Sequence, residues 1–253
     1  MVRSSPAGRR ARRSDHLNGR GKHAIVLAAG LGVRMRPLTD HKPKPLVCIG
    51  GRPLIGYAFD RLRAQGCERA VVNVHHLAGQ IIDWARSQDG LEVLISDESG
   101  ELLDTGGGIA KALPILGEEP FFVLNSDSFW IDGRIPALAR LAAAWDEKTM
   151  DCLLLLSPLD RVIGYDGYGD FRLASDGRLV RRDAKEKNAL VYIGCHLVHP
   201  RLFGGAPSSK FSMNMLWDRA IKEGRLYGIA HDGLWLHVGT PEAIPLAEAA
   251  LAR

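Results

Sequence analysis

Cysteine is scarce in this chain of 253 residues: Cys48, Cys67, Cys152 and Cys195 are all there are. No two stand in C-x-x-C spacing, which argues for reduced thiols in a cytoplasmic protein rather than a zinc site or a disulfide framework. Long apolar runs are also missing, and none approaches the roughly 18 residues a membrane span needs. Two common nucleotide motifs are absent as well. No Gly-Lys-Ser/Thr of a Walker loop occurs, and the glycine turn at Gly30 and Gly32 has Met35 where a dinucleotide fingerprint needs its third glycine. Pro37 and Pro43 follow that turn in place of a helix.

Acidic residues are nearly absent from residues 1–22, which hold Arg3, Arg9, Arg10, Arg12, Arg13, Arg20 and Lys22 against Asp15 alone. This segment outweighs the net charge of +4, so the remaining body is slightly acidic and presents no case for nucleic acid. Short of apolar side chains and rich in Ser, Gly and Arg, the tail is expected to be flexible. It lacks the apolar core of a secretory signal; an Arg-rich transit peptide and a translation start nearer Lys22 are the readings open to it.

The body, residues 23–253, alternates strand and helix signals, which predicts an α/β fold with a mainly parallel sheet flanked by helices. Strands are expected at 24–29, 70–74, 91–96, 121–124 and 152–156, with helices near 54–65, 78–86, 107–116 and 135–145. Shorter strands follow at 170–173 and 178–182, the second entered through Asp176-Gly177, then 191–196, with helices at 212–223 and 240–251. The change of pattern divides the body at about residue 156. Ligands of an open α/β sheet bind outside the carboxyl ends of its strands, where the loop after the first strand begins.

That loop, Gly30-Leu-Gly-Val-Arg-Met-Arg-Pro-Leu-Thr39 with Pro43-Lys-Pro-Leu46 beyond it, joins a glycine turn to Arg34, Arg36 and Lys44. Backbone N–H groups and fixed positive charge together suit phosphate. Asp127 stands just past the strand expected at 121–124, where a carboxylate can cap the following turn or hold Mg²⁺, the phosphate-suited loop upstream favouring the metal. The run Leu103-Asp-Thr-Gly-Gly-Gly-Ile109 opens a helix on bare backbone, against which a ring could lie. His75 and His76 read as strand-end polar groups, with contact to a base left open by their place near a strand end.

The first of these motifs resembles the signature of the sugar-1-phosphate nucleotidylyltransferases, G-x-G-x-R-[LM]-x-P-L-T followed by P-K-P-L, matched here from Gly30 to Leu46. The fuller T-G-G-G-I-x-K-A-L-P-x-L from Thr105 to Leu116, with Gly169-Asp-Phe171 and His199-Pro-x-Leu-Phe203, is similar to the N-acetylmuramic acid 1-phosphate uridylyltransferase branch. The resemblance implies a Rossmann-like nucleotidyltransferase fold with a small sugar-binding subdomain, and an NTP and a sugar 1-phosphate as substrates. It implies Arg34, Lys44 and Asp127 as catalytic residues, and Leu27, Ala28, Ala29, Gly30, Gly32, Arg34, Gly106 and Gly107 as the nucleotide site. Gly108, Asn125 and Gly194 would face the sugar, and Asp127 would hold Mg²⁺, with Mn²⁺ as a second candidate. Mannose-1-phosphate guanylyltransferase, a choline-phosphate cytidylyltransferase and a nucleotide-binding protein without turnover stay open, as does the oligomeric state.

Three departures stand out. Ser126 replaces a usual glycine. The E-K-P lysine is not plainly present, and Lys185 sits in a charged turn without the proline. In Trp235-Leu-His-Val-Gly-Thr-Pro-Glu242, His237 occupies the place of the second metal-binding aspartate. Imidazole suits Mn²⁺, Zn²⁺ or Fe²⁺ better than Mg²⁺. His237 either leaves the metal to Asp127, phosphates and water, or contacts phosphate or sugar itself, or marks a chain that binds without turnover.

Overall fold

The computed structural model describes residues 21–187 and 189–252; the basic tail, apart from Gly21 and Lys22, lies outside them. Strand β1 (His23–Leu27) is followed by the phosphate-directed loop, a short hairpin of β2 (Cys48–Ile49) and β3 (Arg52–Pro53), and helix α1 (Leu54–Gln65). Then come β4 (Arg69–Val74), α2 (Ala78–Arg86), β5 (Glu92–Asp97), α3 (Asp104–Leu116), β6 (Phe121–Asn125), β7 (Ser128–Ile131) and α4 (Ala137–Ala144). The rest holds β8 (Cys152–Ser157), β9 (Val162–Ile163), β10 (Phe171–Leu173), β11 (Leu179–Arg181), β12 (Val191–Val198) and α5 (Met213–Lys222). Strands β13 (Leu226–Ala230) and β14 (Leu234–His237) and helix α6 (Ala243–Leu251) close the chain.

Seven strands form one sheet in the order β13-β8-β12-β6-β1-β4-β5. Parallel pairing joins β6, β1, β4 and β5, and also β13 with β8. Strand β12 runs against both its neighbours, so the expected parallel sheet is interrupted once, and strands from both sides of residue 156 share it. Alternation along β1 supplies two cores: Ala24 and Val26 pack with α1, α2 and α4, while Ile25 packs with α3 and α5. In α1, Leu54, Ile55, Ala58, Phe59 and Leu62 are buried at helical spacing, and Gly66 at φ 81° ends the helix. No helix among the described residues is long and apolar enough to cross a membrane.

Strands β7, β13 and β14 were not expected from the sequence. Strand β13 holds Ile229 as its single β-branched residue and Gly228 at its centre, yet any Cβ there would sit 2.8 Å from both Leu156 and Leu179, so close packing requires the glycine. Strand β14 pairs antiparallel with β7 and parallel with β9, and its register sets His237 opposite Ser128. Through that pairing a segment from the end of the chain reaches the carboxyl end of β6, beside Asp127.

Candidate active site

A cavity of about 430 Å³ opens at the carboxyl ends of β1 and β6. Its first wall is the loop after β1. Gly32 at φ 64° reverses the chain, and a Cβ there would meet the Lys44 Cβ at 3.0 Å. The turn is closed by the Met35 N–H donating to the Gly32 carbonyl at 2.9 Å and by Thr39 Oγ1 donating to the same oxygen at 2.8 Å. Met35 is fully buried under the loop, which leaves Arg34 pointing outward, exposed and lining the cavity. The N–H groups of Gly30, Leu31 and Gly32 donate to nothing among the described residues, which leaves them available to an anion.

Lys44 forms the floor. It begins a short 3₁₀ turn between Pro43 and Pro45, is buried, and its ammonium donates to Asp127 Oδ2 at 3.0 Å. Burial pushes the Asp127 pKa up, but Lys44, then His237 and Arg34, outweigh it and hold the carboxyl below its ordinary value. His237 is pulled below its ordinary value chiefly by burial, with Asp127 opposing and Lys44 and Arg34 adding to the shift. At neutral pH the arrangement is therefore an ionised Asp127, a paired Lys44, a neutral His237 and a free Arg34. No group of three or more His, Cys, Asp or Glu capable of holding a metal occurs among the described residues.

A hydrogen-bonded chain that the motifs did not reveal braces the loop. The Ala28 N–H donates to Asn73 Oδ1 at 2.7 Å, Asn73 Nδ2 donates to Glu98 Oε1 at 2.7 Å, and Glu98 Oε2 accepts from the Leu103 N–H at 3.1 Å. Both Asn73 and Glu98 line the cavity and are buried. A polar residue inside the apolar run 70–74 was the available signal for Asn73. His75 hydrogen-bonds to the Glu98 carbonyl at 2.6 Å, as a strand-end polar group. Ser126, in place of the usual glycine, donates its hydroxyl to the Leu27 carbonyl at 2.6 Å and so ties the end of β6 to that of β1.

Leu27, Ala29, Gly30, Gly32, Arg34, Lys44, Asn125 and Asp127 all line the cavity. Ala28 lies beneath it, with its N–H spent on Asn73. The three glycines correct the picture of bare backbone facing a ring. A Cβ on Gly106 would lie 2.3 Å from the Phe211 ring, and one on Gly107 would lie 3.0 Å from Leu103 and 3.2 Å from the Ser209 carbonyl. On Gly108 it would lie 2.6 Å from Glu98 Oε1. These glycines let the chain pack against its own neighbours, and Leu102, Asp104 and Thr105 line the cavity there instead. Gly194 (φ 79°) is not in the lining either; it makes room for Asn125, 2.9 Å from where its Cβ would be.

A glycine turn with free N–H groups, beside a lysine–aspartate pair at the carboxyl ends of the parallel strands β1 and β6, has the make-up of an enzyme of nucleotide phosphoryl chemistry. The MobA-like NTP transferase domain model matches residues 24–165, and the chain belongs to that family. It is 46% identical over 235 residues to the N-acetylmuramate alpha-1-phosphate uridylyltransferase of Caulobacter vibrioides, covering 91% of this chain and 97% of the relative. The protein of the same description from Neisseria meningitidis is 36% identical over 220 residues, covering 86% and 93%. Among solved structures, HddC from Yersinia pseudotuberculosis superposes with a TM-score of 0.73 at 21% identity, covering 90% of this chain and 99% of that one. A UDP-glucose pyrophosphorylase complexed with UDP-glucose gives 0.74 at 18% identity, covering 92% and 98%. Both share the nucleotidyltransferase fold.

Proposed function

We propose that the chain transfers a uridylyl group from UTP to N-acetylmuramic acid 1-phosphate, giving the UDP-sugar and pyrophosphate. The observation that carries this reading is the Arg34, Lys44, Asp127 and His237 cluster, set in a chain alike over nearly its whole length to two uridylyltransferases of that sugar. The sugar phosphate oxygen attacks the α-phosphorus in line and pyrophosphate leaves, so catalysis consists of positioning and charge neutralisation. The free N–H groups of Gly30 to Gly32 and the Arg34 guanidinium hold the triphosphate and its departing part. Lys44 sits at the α-phosphate, where negative charge builds. Residues 23–156 supply this nucleotide half, and residues 157–253 the sugar half, with Asn125 between them.

The donor set fits a divalent cation delivered with its nucleotide. Asp127 keeps about a third of its side chain open to the cavity (34%), and a neutral imidazole stands beside it. Asp127, with His237 next to it, would hold Mg²⁺ or Mn²⁺, phosphate oxygens completing the set. An ion bound there would supply positive charge to the phosphates.

Pyrophosphate release tests the reading, with each of the four NTPs against N-acetylmuramic acid 1-phosphate or mannose 1-phosphate and with Mg²⁺ or Mn²⁺. Release with UTP and the muramic sugar is expected. Release only with another pair would keep the chemistry and replace the substrate; nucleotide binding without release under any pairing would overturn the reading.

A further inference from the structure

Among the described residues, three cations line the cavity: Arg34, Lys44 and Lys210. Lys44 is held by Asp127. Arg34 and Lys210 make no hydrogen bond or ion pair among the described residues, and they stand on separate parts of the chain. Arg34 belongs to the loop that faces the triphosphate. Lys210 comes from the segment between the turn at Pro200–Phe203 and helix α5, in the half of the chain assigned to the sugar. Building on the nucleotidylyl-transfer reading above, we infer that Lys210 is the sugar-side cation, which holds an anionic oxygen group of the sugar 1-phosphate.

The mounting of Lys210 supports this role. The segment has no regular structure, yet its neighbour Phe211 is fastened to the start of α3. The Phe211 N–H donates to the Leu103 carbonyl at 3.2 Å, and the Phe211 carbonyl accepts from the N–H groups of Gly106 and Gly107, each at 3.0 Å. The Phe211 ring fills the space that a side chain on Gly106 would need. This accounts for the glycine run: it docks the 209–211 segment against α3 and so brings Lys210 to the cavity wall. The backbone is fixed while the four-carbon stem stays free, which lets a compact ammonium with three donors follow an anion into place.

Other basic groups of this half are unsuited or engaged elsewhere. Lys185 and Lys187 are exposed on the turn after β11 and do not line the cavity. Arg182 donates to the carbonyls of Gly169, Asp183, Ala184 and Glu186. On the Lys210 wall, Asp104 accepts from the Thr105 N–H at 2.6 Å and forms no ion pair with the lysine among the described residues. Bringing the sugar phosphate up to a triphosphate places two anions side by side, and an unpaired cation at the point of arrival offsets their repulsion. A muramic sugar carries two such groups, the 1-phosphate and the lactyl carboxylate, and an ammonium takes either.

The test is steady-state kinetics of Lys210→Met and Lys210→Arg with UTP, using N-acetylmuramic acid 1-phosphate and N-acetylglucosamine 1-phosphate as separate acceptors. Binding of each sugar phosphate is followed in parallel by calorimetry. Loss of a charge-assisted contact predicts that Lys210→Met raises the KM and Kd of the sugar phosphate by about tenfold or more. The KM for UTP should stay within about twofold, and arginine should restore most of the loss. An equal loss with both acceptors assigns the ammonium to the phosphate; a loss confined to the muramic acceptor assigns it to the carboxylate. Unchanged sugar-phosphate KM and Kd in Lys210→Met, or a loss that falls on UTP instead, overturns the inference while wild-type turnover leaves the proposed function standing. A wild-type protein that turns over no sugar 1-phosphate overturns both.

Discussion

Lys44 Nζ lies 3.0 Å from Asp127 Oδ2, joining two residues 83 positions apart in sequence. The lysine side chain is 9% exposed and the carboxylate 34%, so water does little to weaken the pair from the lysine side. Without Lys44, burial of Asp127 is opposed only by His237 and Arg34. Lys44→Ala is expected to lower kcat/KM by 10² or more, on the order of 2.7–4 kcal/mol. It should also raise the Asp127 pKa, read directly by a carboxyl NMR titration. The sign follows from linkage: a depressed carboxyl pKa stabilises the fold above its unfolded value of about 3.9 and loses that contribution as pH falls through the folded value. In Lys44→Ala this acid window should move upward. An unmoved titration would mean that the pair does not form in solution.

The parts of this site that could be read from sequence were those carried by short contiguous patterns. Gly30, Arg34, Lys44 and Asp127, which the fold brings to one cavity, stand out because a glycine–arginine turn and a strand-end carboxylate have local signatures. Helices α1 and α2 have the expected bounds because their buried residues recur at helical spacing. Partners distant in sequence were not legible. Asn73 and Glu98 act by joining β4 and β5 to the loop after β1, and nothing near either residue encodes that. His237 was visible as a substitution, but its neighbourhood depends on the β7–β14 register. The glycines of α3 suggest bare backbone open to a ligand, and the sequence does not reveal that Phe211 returns to pack on Gly106.

Two glycine substitutions should separate packing from ligand approach. At Gly108 a methyl group would meet Glu98 Oε1 at 2.6 Å and Asn73 Nδ2 at 2.8 Å, whereas at Gly30 nothing lies within 4 Å. Gly108→Ala should cost about 1–3 kcal/mol, a fall in Tm of several degrees. Gly30→Ala should leave Tm within about 1 °C and raise the nucleotide KM about fivefold or more, because the methyl group occupies space that phosphate needs. Thermal melts and UTP kinetics on both variants check this; a stability loss at Gly30 would show that the loop has hidden packing.

His196 on β12 should shape the acid stability of the fold. It is 1% exposed, its Nδ1 hydrogen-bonds to the Tyr192 hydroxyl at 2.7 Å, and its Nε2 has no partner among the described residues. Burial lowers its pKa from 6.5 to about 3. The unfolded chain therefore takes up a proton that the folded one refuses. Stability from this group is full above about pH 6.5 and drains away as pH falls toward 3, by roughly 5 kcal/mol at most. His196→Leu should flatten the pH 3–6.5 slope of denaturant midpoints while costing about 1–3 kcal/mol at pH 7 for the orphaned Tyr192 hydroxyl. An unchanged slope would place the titrating group elsewhere.

Arg34 offers a cleaner loss of function than Lys44, because Lys44 is buried in an ion pair with Asp127 whereas Arg34 acts on that carboxylate only from a distance. Its side chain is exposed and makes no hydrogen bond or ion pair among the described residues. Arg34→Ala should leave the denaturant midpoint unchanged and lower kcat/KM by about 10² or more. Arg34→Lys should recover only part of this, since a point charge does not reproduce a two-pronged grip on phosphate. A loss below about threefold in Arg34→Ala would remove the guanidinium from the triphosphate site.

His237 should set which divalent ion works best. It is partly buried, uncharged at neutral pH and held beside Asp127 by the pairing of β14 with β7. Neutral imidazole binds Mn²⁺ more readily than it binds Mg²⁺, while a carboxylate suits both. The ratio of kcat/KM with Mn²⁺ to that with Mg²⁺ should exceed one in the wild type and fall about tenfold in His237→Asp. Mn²⁺ binding to the nucleotide-loaded protein, followed by electron paramagnetic resonance, should weaken in His237→Ala and recover in His237→Asp. If both measures ignore the substitution, the imidazole does not touch the ion. A change confined to the KM of one substrate would then assign His237 to that substrate's phosphate or sugar.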